Sequence, residues 1–265
     1  MQMSALDASL VAWARDASVP AVLGMARIGA CFAWLPYLSS GVMPSKMTRS
    51  VVALATLVGM WPVTAQALLP TDMLAMTGAM LVEVLIGTAI GLAVALPFHI
   101  FHGLGAIVDN QRGAGVGAML DPVSGVEATE TANLIQLMSV MVFLASGGMR
   151  VLLDVLQESY ALVPMGGMPA LQLQPLQSFA GAVLAGAVRM ALPVLLLLFL
   201  VEVMLGVLSR YAQQMNAFSV SLAVKSLIAF LALLIYLMPT VVQEVPRLRD
   251  GSDALRMLRP AAHED

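Results

Sequence analysis

Hydrophobic positions in this chain gather into six long runs, drawn at residues 19–38, 50–69, 73–101, 131–153, 179–209 and 218–240, with short breaks rich in glycine, proline or charge between them. About 20 apolar residues in helical conformation span the hydrocarbon of a bilayer, and every run reaches that length. The pattern predicts an all-α, polytopic membrane-type protein of long, kinked helical hairpins. The third and fifth runs are long enough to require tilt, a break or extension beyond a bilayer.

Within the third run, Ala75, Ala79, Glu83, Gly87, Gly91 and Ala95 recur every fourth residue. At 3.6 residues per turn this row drifts by about 40° per step, which makes it a slanting stripe of small residues. Gly87 and Gly91 form a GxxxG pair, so another helix backbone can approach closely there. Glu83 reads as a buried, hydrogen-bonded carboxylate in a packing seam; a proton or ion relay would want a second acid nearby. In the fifth run Gly181, Ala185 and Arg189 share a row, Pro193 kinks the helix, and Glu202 follows; Lys225 opens the sixth run. Arg27, Arg189 and Lys225 are thus candidate buried partners for Glu83 and Glu202, with the pairing open.

The break at Asp109–Pro122, DNQRGAGVGAMLDP, differs from the others in being both polar and glycine-rich. Lipid cannot satisfy flexible backbone, so this stretch belongs in water or inside protein. Asp109, Asn110, Gln111 and Arg112 lead into Gly113, Gly115 and Gly117, and Asp121 and Pro122 close it. These residues describe a mobile loop pinned at both ends. That chemistry suits a loop that blocks a pore and moves aside, and it suits an ordinary surface loop equally. The spacing is not GxGxxG and no Lys-Ser/Thr follows, which argues against nucleotide binding.

At 265 residues, with 60% hydrophobic and 11% charged positions, and a mean hydropathy of +0.89, the chain is far more apolar than a soluble domain. A net charge of −3 leaves no electrostatic footprint for nucleic acid. Cys31, the single cysteine, sits in an apolar run and reads as a buried hydrophobe; a disulfide within the chain is excluded. His99 and His102 share a helical face but lack a third ligand, so no metal or other cofactor is expected. The twenty methionines read as packing residues. The N-terminus lacks a basic region followed by a cleavable apolar core and is expected to be retained. Short loops and the arginine-bearing tail give opposite orientations under the positive-inside rule. Residues 1–245 read as one helical domain and 246–265 as a charged tail.

Five pieces in order, EVLIGTAIGLA from Glu83, DNQRGAG with Asp121-Pro122, FLASGG, ESYALVP, and EVMLGVLSRYAQQMNAF leading to Lys225, resemble the T component of the bacterial type III secretion export apparatus, the SctT, SpaR, YscT or HrcT family related to flagellar FliR. The likeness runs from about Arg27 to Lys225. Gln-Arg-Gly at 111–113, Met149 after Gly147-Gly148 and Gln-Gln-Met-Asn at 213–216 resemble the injectisome branch more than the flagellar one.

The resemblance implies a non-enzymatic subunit of the inner membrane, held at or above its periplasmic side. It implies assembly with R-type (FliP-like) and S-type (FliQ-like) subunits into a portal on the V-type export gate, with the U-type switch protein nearby. Unfolded substrate proteins would pass through, driven by the proton gradient and a separate ATPase. The stretch 109–122 then corresponds to a plug, and Arg210, Gln213, Gln214 and Asn216 to subunit contacts. Two other classes compete. A single-chain proton-coupled transporter would use Glu83, Glu202 and the broken helices. An intramembrane enzyme finds no nucleophile–base set, HExxH or GxSxG.

Overall fold

A computed structural model describes residues 2–38, 45–60, 72–114, 130–167, 174–211 and 217–248. These residues are helical apart from short caps and turns. They form α1 (Gln2–Ala33), a 3-10 turn (Pro36–Leu38), α2 (Lys46–Gly59), α3 (Met73–Arg112), α4 (Glu130–Ala145), α5 (Gly148–Leu162), α6 (Gln174–Tyr211) and α7 (Ala217–Leu248). Met73–Arg112, Ala180–Tyr211 and Val220–Pro246 are long and apolar enough to cross a membrane, and α4 with α5 make a fourth if that broken pair is one span. The protein is a helical membrane protein.

Three departures from the drawn runs have physical causes. Among the described residues the helix of the second run, α2, has 14 residues, about 21 Å, shorter than a crossing. The fourth run is divided, because Gly147 adopts φ 82°, a left-handed conformation that breaks the ladder before α5. The third run, drawn to residue 101, extends further: α3 continues through Pro97 to Arg112. Proline removes one backbone donor, while Phe98, Phe101, Leu104 and Val108 beyond it are all fully buried. That burial outweighs the single lost hydrogen bond.

The chain divides into two compact units, 1–95 with 147–179 and 250–265, and 96–146 with 180–249. In the first, α1 packs on α2. Its core is built from Leu23, Ile28, Cys31, Ile86, Ile90, Leu152 and Leu156. A Cβ on Gly87 would collide with the Arg27 carbonyl, and one on Gly91 would come within 2.6 Å of the Cys31 carbonyl, so the small-residue stripe is where α1 and α3 backbones meet. In the second unit α4 packs on α7. There Phe98 meets Phe143 edge to face, with ring centroids 5.0 Å apart.

Candidate functional site

The end of α3 carries the polar stretch into its loop. Asp109 through Arg112 form the last helical turn, so the first four residues of the expected loop are helix. Arg112 favours this, since a cation at a helix C-terminus meets the negative end of the dipole. Gly113 then stops the helix at φ 86°, its N–H donating to the Asn110 carbonyl at 3.1 Å.

Asp109, at 1% exposure, uses both carboxylate oxygens. Oδ1 accepts from Arg112 Nε at 2.9 Å. Oδ2 accepts from the Ala132 backbone N–H at 3.3 Å. The second contact satisfies a donor in the first turn of α4, a capping role taken by a residue 23 positions away. Arg112 also donates from Nη2 to Thr131 Oγ1 at 3.1 Å, and its guanidinium lies over the Phe230 ring of α7 at 5.1 Å. Gly105 makes the approach feasible, because a Cβ there would strike the Ala132 backbone. One clasp therefore ties the helix leaving into residues 113–129 to the helix that follows them.

Neighbouring polar groups extend it. Gln111 Nε2 donates to Glu202 Oε2 at 3.4 Å, and Lys225 Nζ donates to Glu202 Oε1 at 3.1 Å. Glu202 was expected to be buried, but its side chain is 52% exposed, while Lys225 is nearly enclosed. On α6, Arg189, also expected to be buried, is exposed, as is Arg210; Asn110 on α3 is exposed too. Gly115, Gly117, Asp121, Pro122, Gln213, Gln214 and Asn216 lie outside the described residues.

A second polar cluster lies in the other unit, its two charged side chains closed to solvent. Arg27 Nε donates to Glu83 Oε2 at 2.6 Å, both side chains 0% exposed. Its Nη1 donates to Ser159 Oγ at 3.2 Å and its Nη2 to the Val163 carbonyl at 3.0 Å. The guanidinium sits 4.1 Å from the Tyr160 ring centroid, and Tyr160 Oη donates to the Gly24 carbonyl. Glu83 Oε1 accepts from the Gly166 N–H at 3.4 Å. This cluster joins α1, α3 and α5. Glu83 is committed to a cation and a backbone donor, an arrangement suited to holding helices.

Sequence reasoning named Arg27, Glu83, Asp109 and Arg112 but missed Ser159, Tyr160, Gly105, Thr131 and Phe230. Only Tyr160 carried a signal, as a hydroxyl-bearing ring in an apolar helix. Among the described residues, no three of His, Cys, Asp and Glu come together as metal ligands.

Residues 19–249 match the family described as bacterial export proteins, family 1. The surface presentation of antigens protein SpaR of Salmonella typhimurium is 40% identical over 228 residues, 86% of each chain. The Yop proteins translocation protein T of Yersinia pestis is 31% identical, covering 80% of this chain and 83% of that one. The flagellar biosynthetic protein FliR of Escherichia coli is 26% identical, over 60% of this chain and 61% of its own.

Proposed function

The chain belongs to family 1 of the bacterial export proteins, and on that footing we propose that it is a core export-apparatus component of an injectisome-type III secretion system, a non-enzymatic part of a gated portal for unfolded proteins. The likeness to SpaR and to the Yop translocation protein exceeds that to flagellar FliR in identity and in coverage, which supports the injectisome over the flagellar reading. In this proposal the subunit completes a portal with R-type and S-type partners in the bacterial inner membrane, against the U-type switch protein and the V-type gate.

The observation that carries the gating part is the clasp of Asp109 and Arg112 on Thr131 and Ala132. It ties the end of α3 to the start of α4, which supports a gating role for the stretch between them. Gln111, Glu202 and Lys225 add a polar brace on the same turn. The closed state must win by a few kcal/mol at rest and be overcome when substrate engages. Ala180–Tyr211 and Val220–Pro246 have only 22% of their most apolar stretches buried inside the chain. Arg189 and Arg210 stand exposed on α6 within such surroundings. Charges there are costly in lipid alone, which favours a chain completed by other subunits over a transporter acting singly.

Co-expression with candidate R-type and S-type subunits, purification through this chain and native mass spectrometry test the proposal. A discrete complex with one copy of this protein and several of each partner is the expected result. Recovery of the protein alone, folded and monodisperse, would overturn it and favour the transporter.

A further inference from the structure

A cleft of about 380 Å³ opens between α1 and α2, within the volume range of small-molecule sites, roughly 300–1,000 Å³. Met25, Phe32 and Leu38 are among its apolar lining, and Lys46, Arg49 and Ser50 supply its polar groups. Neither cation forms an ion pair with a described residue. Both belong to the first turn of α2, so positive charge is concentrated at one end of the cleft and apolar surface fills the rest.

The remainder of α2 points the same way. Ala53 and Leu57 are buried, while Met47, Val51, Leu54 and Val58 are exposed. Each of these four exposed positions lies within one residue of a cleft or core position, about 100° around the helix. They form an apolar stripe along the outside of α2, beginning beside the two cations. At 14 residues α2 cannot span a bilayer, but a short helix with charge at one end and an apolar flank suits the headgroup boundary.

We propose that the α1–α2 cleft binds an anionic phospholipid, its phosphate held by Lys46 and Arg49 while the Ser50 hydroxyl stays on the Lys46 carbonyl, and its acyl chain laid along Met25, Phe32 and the outer stripe of α2. Charge complementarity selects an anionic head over a zwitterionic one. The apolar floor selects an amphiphile over free phosphate, which would leave that surface in water. The site is remote in sequence from the 109–132 clasp, and lipid retention is read independently of secretion. Failure of this proposal and failure of the portal reading are therefore distinguishable.

The test is native mass spectrometry of the full chain as extracted in detergent, alone and with whatever partners co-purify, titrated with phosphatidylglycerol or phosphatidylethanolamine of identical acyl chains. Phosphatidylglycerol should be retained by roughly tenfold or more over phosphatidylethanolamine, the scale of two cations near a headgroup. K46Q/R49Q should lose that preference. Gly29→Leu should lower retention of both lipids, because Gly29 lines the cleft and a Cβ there meets nothing within 4 Å, leaving the added side chain room to occupy it. A helical far-ultraviolet circular dichroism spectrum and a single thermal transition report that each variant is folded, whether or not partners co-purify; should K46Q/R49Q not fold, Gly29→Leu decides. Equal retention of the two lipids, an intact preference in K46Q/R49Q, or unchanged retention in Gly29→Leu would each overturn the proposal. Displacement of the lipid by inorganic phosphate would show a free-anion site. A cleft that takes lipid in the isolated chain but not in the complex would show that a protein subunit covers it, and either result also overturns it.

Discussion

Arg27 and Glu83 meet across 2.6 Å with neither side chain reaching solvent, although 56 residues separate them in the chain. A buried pair survives its desolvation cost only when the remaining donors and acceptors are also used. Ser159, Val163 and Gly166 use them here, so the pair holds α1 and α3 against α5 and the turn that follows it.

Removing one partner should therefore be far worse than removing both. Arg27→Ala or Glu83→Ala is expected to cost about 3–5 kcal/mol, as a buried charge is left alone. Arg27→Met with Glu83→Leu should recover most of that loss. Thermal unfolding in one detergent compares the three; single variants that melt with the wild type would show that the pair is not held as described.

The glycine seam gives a second contrast on the same helix. Gly87→Ala places a Cβ against the Arg27 carbonyl and should destabilise by roughly 1–3 kcal/mol as α1 and α3 separate. Gly78→Ala meets nothing within 4 Å and should be neutral or stabilising by up to about 1 kcal/mol through helix propensity. Melting of the two variants side by side checks the order.

Asp109→Ala takes the partner from Arg112 and the acceptor from the Ala132 N–H together. Gly113→Leu forces a β-carbon into φ 86°, at roughly 1–2 kcal/mol, and toward Leu222. These variants, with Gly115→Leu, are expected to alter gating while the subunit stoichiometry survives. Small-ion leakage and secretion are the readouts. Unchanged leakage and secretion in all three would count against a plug in this stretch.

The Lys225–Glu202 pair should respond asymmetrically. Lys225→Met leaves a half-exposed carboxylate that water can serve, whereas Glu202→Ala leaves a nearly enclosed ammonium without its partner. Glu202→Ala is expected to be the more destabilising by about 1 kcal/mol, and thermal unfolding of both variants measures the difference.

Helix content, the small-residue seam and the polar, glycine-rich break were legible in the sequence because each follows from local rules. Backbone in an apolar setting must satisfy itself within a helix, a GxxxG pair permits close approach whatever approaches, and glycine marks where a helix can stop. Which cation meets which carboxylate was not legible. Arg27 with Glu83 and Lys225 with Glu202 are pairings across long separations, set by how helices of different lengths face one another. Arg189 shows the same limit: its row on α6 predicted a buried seam, yet among the described residues its side chain is exposed. Pro97 and Asp109–Arg112 show how packing overrides local punctuation. The apolar run was drawn only to residue 101 and the polar break from Asp109, but the buried Phe98–Val108 segment and the clasp on Thr131 and Ala132 carry the helix through Pro97 to Arg112. Only contacts between chain-distant residues supply the free energy for that.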